Sequence, residues 1–279
     1  VPDHSPDPFG DVLLHGVSKR YRRRLVLDQV SVRLPRGSRT AVHGGNGSGK
    51  STLLRILAGV SMPTSGSVTG IPSLIGYLPA TFAPPPMMRA ADYLQHLGRI
   101  RGLTPAAARR RTADLLDLVD LAPGSTARLG TLSTGNLRKV GIAQAFLLTQ
   151  AELIVLDEPR SGLDHRARPV LDQLVGSAAA AGATVIIADH ESDQALGQQL
   201  YDQRLGLASG RLTVLPPSGP RTKRYQVEAV GADGTRRTFE VADGEQDRLL
   251  TELLAAGWSI TAVRADQVHL DGAQVDAHG

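Results

Sequence analysis

The stretch Arg39-Thr40-Ala41-Val42-His43-Gly44-Gly45-Asn46-Gly47-Ser48-Gly49-Lys50-Ser51-Thr52-Leu53-Leu54-Arg55-Ile56-Leu57-Ala58 decides the fold. Its middle, Gly44 to Ser51, fits G-x-x-x-x-G-K-[ST]. Arg39–His43 reads as a short strand and Thr52–Ala58 as the start of a helix, so the glycine-rich run stands between strand and helix. That order is the one a phosphate cradle needs. The glycines let the backbone curl until successive N–H groups point inward at an anion. The following helix adds the partial positive charge of its N-terminus. Lys50 contributes a point charge for β- and γ-phosphates, and the Ser51 hydroxyl can ligate Mg2+. Lysine occurs only at 19, 50, 139 and 223, so a chance match is improbable.

Working outward, two apolar runs end in chemistry-bearing residues. Leu153-Ile154-Val155-Leu156 leads to Asp157-Glu158, and Thr184-Val185-Ile186-Ile187-Ala188 leads to Asp189-His190. Runs without alternation predict strands buried on both faces, as in a parallel sheet covered by helices. Their C-terminal ends are where open α/β sheets bind ligands. Asp157 is then placed to hold Mg2+, usually through water, opposite Ser51. Glu158 can polarise the water that attacks the γ-phosphorus.

The remaining segments frame this centre. Val12 to Leu34 alternates as antiparallel strands do. Pro63–Ser67 reads as a turn and Leu74–Leu78 as a strand. Ala90 to Leu148 carries helical spacing. Ser133-Thr134-Gly135 would open a helix running through Leu147, with Ser133 either capping it or, with nearby N–H groups, binding a γ-phosphate. Residues 1–10 read as a disordered lead and Pro216–Pro220 as linker. Beyond it, Tyr225–Val230 and Arg236–Val241 read as a hairpin, Asp247–Ala256 as a helix and Trp258–Val263 as a strand. A β-β-α-β unit this small is expected to have hardly any core of its own.

Leu132-Ser133-Thr134-Gly135-Asn136, following the phosphate run, separates one class of P-loop ATPase from the rest. Together the two runs resemble the ATP-binding-cassette (ABC) family over about Leu13 to Pro216. The resemblance implies an α/β fold: a P-loop NTPase core with a mainly parallel sheet, an N-terminal antiparallel β subdomain and an inserted helical subdomain near 85–148. The nucleotide-binding domain would span 11–216, a linker 217–223, and a small α+β extension 224–279. It also implies roles. ATP would be held by Gly44, Gly45, Asn46, Gly47, Ser48, Gly49, Lys50, Ser51 and Thr52, with Tyr21 stacking on adenine. His190 resembles the switch histidine that contacts the γ-phosphate. Ser133 and Gly135 would serve the nucleotide of a second subunit. Ser161-Gly162-Leu163-Asp164 resembles the loop that lies across the dimer interface.

The implied partners are a membrane-spanning permease and a second nucleotide-binding domain, with the chain peripheral on the cytoplasmic face of the membrane. The tail resembles the extension on ATPases of drug and polysaccharide exporters, and stabilising and regulatory roles stand open for it. Two positions depart from the family pattern. Ala80 stands where Gln is usual, and a methyl group can neither donate nor accept a hydrogen bond. Thr134 and Asn136 replace the commonest signature residues, while Ser133 and Gly135 remain.

Bulk properties narrow the classes. Net charge is +4 with 41% hydrophobic residues in 279, which suits an anionic ligand or surface without choosing one. The absence of cysteine excludes disulfides and thiolate chemistry. Val1–Pro6 lacks the blocks of a signal peptide, and Ala178–Ala188 is too short to span a bilayer. The runs Arg22–Arg24 and Arg109–Arg111 suit solvated faces or a nearby anionic membrane. The proline-rich loop Phe82–Met88 suits a partner contact or packing on its own domain. A GTPase is excluded because neither Asn46 nor Asn136 begins N-K-x-D. The competing readings are a soluble ABC-type ATPase acting on ribosomes or DNA, and a weakly hydrolysing regulatory module. A single cassette without room for a coiled-coil insertion argues against the first, so no nucleic-acid partner is expected. Glu158 argues against the second.

Overall fold

The structure is a computed structural model and describes residues 10–122, 124–189, 201–216, 224–231, 235–242 and 246–265. The chain divides into two units, Val1–Pro217 and Ser218–Gly279. His190, the lead over 1–9 and the linker over 217–223 lie outside the described residues.

The first unit is built on a six-stranded sheet. In chain order its strands are β3 (Arg39–His43), β5 (Ile75–Leu78), β6 (Leu153–Asp157), β7 (Thr184–Ala188), β8 (Gln203–Ala208) and β9 (Arg211–Leu215). Their spatial order is β5-β6-β7-β3-β8-β9, parallel except for the final hairpin partner β9. The two non-alternating runs are β6 and β7, buried at every position. Alternate side chains divide between two cores. Leu153, Val155, Ile186 and Ala188 pack with Leu53, Leu54, Ile56 and Leu57 of α1 (Lys50–Leu57). Ile154, Leu156, Val185 and Ile187 pack with α4 (Thr134–Ala145) and α5 (Ala167–Ala180). Each fully buried aliphatic side chain contributes roughly 1.5–3 kcal/mol, so both faces of the sheet are secured by this segregation.

A second, antiparallel sheet has the order β2-β1-β4, from β1 (Val12–Tyr21), β2 (Arg24–Leu34) and β4 (Ser65–Thr69). Its inward residues Val12, Leu14, Val17, Leu27, Val30 and Leu34 join the α1 core. Here the expected turn at Pro63–Ser67 is corrected, because Ser65–Thr69 pairs with β1. Gly66 permits this, with φ +83° and a backbone so near Gly16 that a Cβ would lie 2.3 Å from the Gly16 carbonyl oxygen.

The helical stretch is broken into α2 (Ala90–Ile100), α3 (Pro105–Leu118), a 3-10 turn at Leu129–Thr131, and α4. Thr104 caps α3 by accepting from the Ala107 N–H at 3.2 Å, with Pro105 in the first turn. The Phe82–Met88 loop divides its loyalties. Phe82 lies edge-on to Tyr93 with ring centres 6.2 Å apart, and Met88 packs on the core, while Met87 is exposed.

The second unit contains β10 (Arg224–Val230), β11 (Arg236–Ala242), α6 (Gln246–Ala255) and β12 (Ser259–Ala265). The sheet is antiparallel in the order β11-β10-β12. Contrary to the expectation from its size, it gathers an apolar cluster of its own. Val227, Ala229 and Leu253 are buried, with Phe239, Leu249, Leu250, Trp258 and Ile260 packed around them. Trp258 precedes β12 and meets Phe239 edge-on, ring centres 6.0 Å apart, so an aromatic pair substitutes for aliphatic bulk.

Candidate functional site

Strand β3 delivers the glycine-rich loop and α1 receives it. Gly47 and Gly49 have φ of +77° and +111°, the left-handed region that glycine enters without cost. Gly44 is needed for a second reason: a Cβ there would stand 2.3 Å from the Leu207 carbonyl oxygen of β8. Lys50 is buried, and its Nζ donates to the carbonyls of Gly44 and Gly45, the latter at 3.1 Å. The loop therefore holds its cation inside its own curl. Thr52 is buried one residue beyond Ser51.

Tyr21, at the end of β1, reaches this helix. Burial raises the pKa of its hydroxyl, but hydrogen bonding with Ser61 and Thr52 and the charges of Lys19 and Arg55 outweigh that and lower it. The Lys19 ammonium sits 5.1 Å from the ring centre, over one face. Tyr21 as a whole remains 43% accessible, which leaves room for a planar ligand to stack on it.

Asp157 closes β6 and is 1% exposed. Neither carboxylate oxygen has a hydrogen-bond partner among the described residues. Burial is the main cause of its raised pKa and Glu158 adds to it, while the nearby Ser51 hydroxyl and Ala80 N–H pull the other way without prevailing. An ionised carboxylate in that setting calls for a cation. Mg2+ fits, because it binds through one or two protein oxygens and fills its octahedron with water and phosphate. Ser51 and Asp157 are the residues that would hold it. Glu158 follows in a left-handed turn, φ +52°, with its N–H donating to the Ala188 carbonyl at 2.7 Å. That strained turn takes the backbone out of the strand conformation at the sheet's C-terminal edge.

Ser133, Gly135 and Asp164 form a separate cluster around the start of α4. The Ser133 Oγ accepts from the Asn136 N–H at 3.3 Å, and Ser133 and Thr134 are exposed. A Cβ on Gly135 would lie 2.7 Å from the Gly162 carbonyl oxygen, so the Ser161–Asp164 loop presses on this first turn. Asp164 accepts from the N–H groups of Arg166 and Ala167 at 3.0 and 2.8 Å, and pairs with buried Lys139 at 3.2 Å. Those donors, Ala167 first, lower its pKa.

Two arginines escaped the sequence reading. Arg138, buried on α4, donates to the carbonyls of Pro79, Asp157 and Glu158. Arg160, also buried, pairs with Asp189 and Asp172 and donates to the Tyr201 hydroxyl at 2.9 Å. Burial pushes the Tyr201 hydroxyl up to about 12. Their sequence neighbours are mixed polar and apolar, and nothing local says which distant groups either arginine would meet.

Comparison with known proteins agrees with this geometry. A family model described as "ABC transporter" matches residues 27–161. The Nod factor export ATP-binding protein I of Ralstonia nicotianae is 31% identical over 209 residues, 71% of this chain and 64% of that protein. This chain therefore spans less than two thirds of that relative's length. The aliphatic sulfonates import ATP-binding protein SsuB 1 of Mesorhizobium japonicum is 33% identical over 230 residues, 79% of this chain and 84% of that one. Among solved structures, an ATP-binding subunit of an ABC transporter superposes with a TM-score of 0.67 at 27% identity, covering 74% of this chain and 90% of its own.

Proposed function

We propose that this chain, which belongs to the ABC transporter family as one of its ATP-binding ATPase domains, powers a separate membrane-spanning subunit by closing on a second such domain around ATP. The reaction is ATP + H2O → ADP + phosphate. Backbone N–H groups of Gly45–Gly49 and the Lys50 ammonium bind the β- and γ-phosphates, and Tyr21 stacks on adenine. Mg2+, held by Ser51 and Asp157, supplies positive charge to the phosphate oxygens. Glu158 accepts a proton from the attacking water, and His190 contacts the γ-phosphate. Ser133 and Gly135 bind the γ-phosphate of the nucleotide on the facing domain, with the Ser161–Asp164 loop between the two sites. Hydrolysis removes the γ-phosphate contacts and releases the pair.

One observation supports the pairing above the others: the α4 tip presents Ser133 and Thr134 to solvent, while Lys50 is held by the carbonyls of its own loop. Such a tip, with its N–H groups directed outward, has an anion to bind only if another domain brings one. Among the described residues no helix is long and apolar enough to cross a membrane. Attachment to the cytoplasmic face through the permease is what the family resemblance implies. Export is the direction favoured by the resemblance of the C-terminal unit and by the Nod factor export relative. In vesicles carrying the permease, an exporter's ATPase rate rises when cargo is added on the nucleotide side. A rise only with cargo on the opposite side identifies an importer.

The test of the pairing is Glu158→Gln. Without its proton acceptor the chain binds ATP and stalls, so it elutes as a dimer in Mg·ATP and as a monomer without nucleotide. A variant that stays monomeric at saturating ATP overturns the pairing.

A further inference from the structure

One buried side chain reaches from the α4 cluster to the main chain of the Asp157–Glu158 cluster. Arg138 lies on α4, five residues after the Ser133 cap, and is 7% exposed. Its Nη1 donates to the Pro79 carbonyl at 2.9 Å. Its Nη2 donates to the carbonyls of Glu158 at 2.8 Å and Asp157 at 3.3 Å. One planar guanidinium thus grips the chain just beyond β5 and just at the end of β6. A lysine, with a single nitrogen, cannot span those points in the same way.

A guanidinium buried against main-chain carbonyls is an expensive way to fill space. Desolvation weakens its hold on its proton, and the nearby Glu158, Asp157 and Asp189 charges act in the opposite sense. What it secures is the carbonyl of Glu158, whose left-handed backbone, φ +52°, is not a conformation the residue adopts unaided. It also secures Pro79, next to Ala80, where the side chain itself offers no hydrogen bond.

We infer that Arg138 is a positioning residue: it sets the backbone that aims Glu158 at the lytic water, and it carries a displacement of the Ser133 tip of α4 to that carboxylate in the same chain. The inference rests on the ATPase reading above and adds an intrachain link between the surface that meets the partner's nucleotide and the chain's own catalytic carboxylate. Rigid helix α4 moves as a unit, so a shift at its N-terminus moves the guanidinium and the three carbonyl groups it holds.

The test compares Arg138→Met, which keeps the stem and loses the donors, with Arg138→Lys, both in the full chain. Arg138→Met is expected to lower kcat by about tenfold to a hundredfold. KM should stay within about twofold, the signature of a loss confined to the chemical step. Arg138→Lys should recover part of kcat. In a Glu158→Gln background, Arg138→Met should still form the ATP-dependent dimer. The inference is overturned if Arg138→Met leaves kcat within about twofold of the parent. It is equally overturned if kcat, ATP-driven pairing and melting temperature fall together and Arg138→Lys restores none of them. Failure of the underlying reading is separate: there Glu158→Gln hydrolyses ATP as fast as the parent, whatever Arg138 does.

Discussion

Asp157 is a buried carboxylate whose nearby donors, the Ser51 hydroxyl and the Ala80 N–H, do not offset the cost of its burial. Its pKa in the folded chain lies above the ordinary value, chiefly through burial. Between the unfolded and folded pKa values the folded state holds a proton that the unfolded chain has released. The associated stability is present at the acid end and is lost as pH rises through the folded pKa. Asp157→Asn should therefore raise unfolding stability at neutral pH by about 1–2 kcal/mol in metal-free buffer, while abolishing ATP hydrolysis. Urea titrations at several pH values check this, with the gap between variant and parent closing toward low pH. A variant less stable than the parent at neutral pH contradicts the account of this site. The sequence pointed to this carboxylate because it ends an apolar strand in a chain that also carries the phosphate loop; the strand ending alone would suit a plain strand terminus equally well. Its burial and the donors beside it were not legible there, since Ser51 and Ala80 reach it only in the folded chain.

At the scale of elements, Arg160 ties together pieces far apart in the chain. Its partners lie on α5 (Asp172), at the end of β7 (Asp189) and just before β8 (Tyr201). Its side chain is 7% exposed and that of Asp189 11%, so removing the cation takes the ion-pair partner from a carboxylate in low dielectric. Arg160→Met should destabilise the first unit by about 3–5 kcal/mol. Adding Asp189→Leu should return part of that loss, because that charge goes with it. Denaturant unfolding of the single and double variants measures both, and an additive double variant removes the network from the account. The strands and helices themselves were readable from their apolar spacing. Strand β4 was not, since a Ser-Gly-Ser stretch carries turn chemistry and becomes a strand only because β1 offers its edge.

For the whole molecule, the pairing makes a prediction no single site can. In a symmetric dimer each nucleotide is gripped by Lys50 of one copy and Ser133 of the other. Lys50→Ala and Ser133→Arg should each abolish hydrolysis alone. Mixed in equal amounts, they form dimers with one site carrying both defects and one carrying neither. Activity should then return to at most about a quarter of the parent's, by random assortment of a two-fold pair. A phosphate-release assay on the mixture reads this directly, and a mixture as dead as its components rules out a composite site built from two copies of this chain. By itself the sequence determined the phosphate loop, the carboxylate pair, the family and the order of the sheet-forming runs, because spacing, glycine content and apolar periodicity are local properties of the chain. Tertiary structure alone decided that Asp157 is buried with few donors beside it, that the tail has a core, and that Arg138 and Arg160 fasten distant loops. Burial and hydrogen-bond partnership arise between residues that only folding brings within reach of one another.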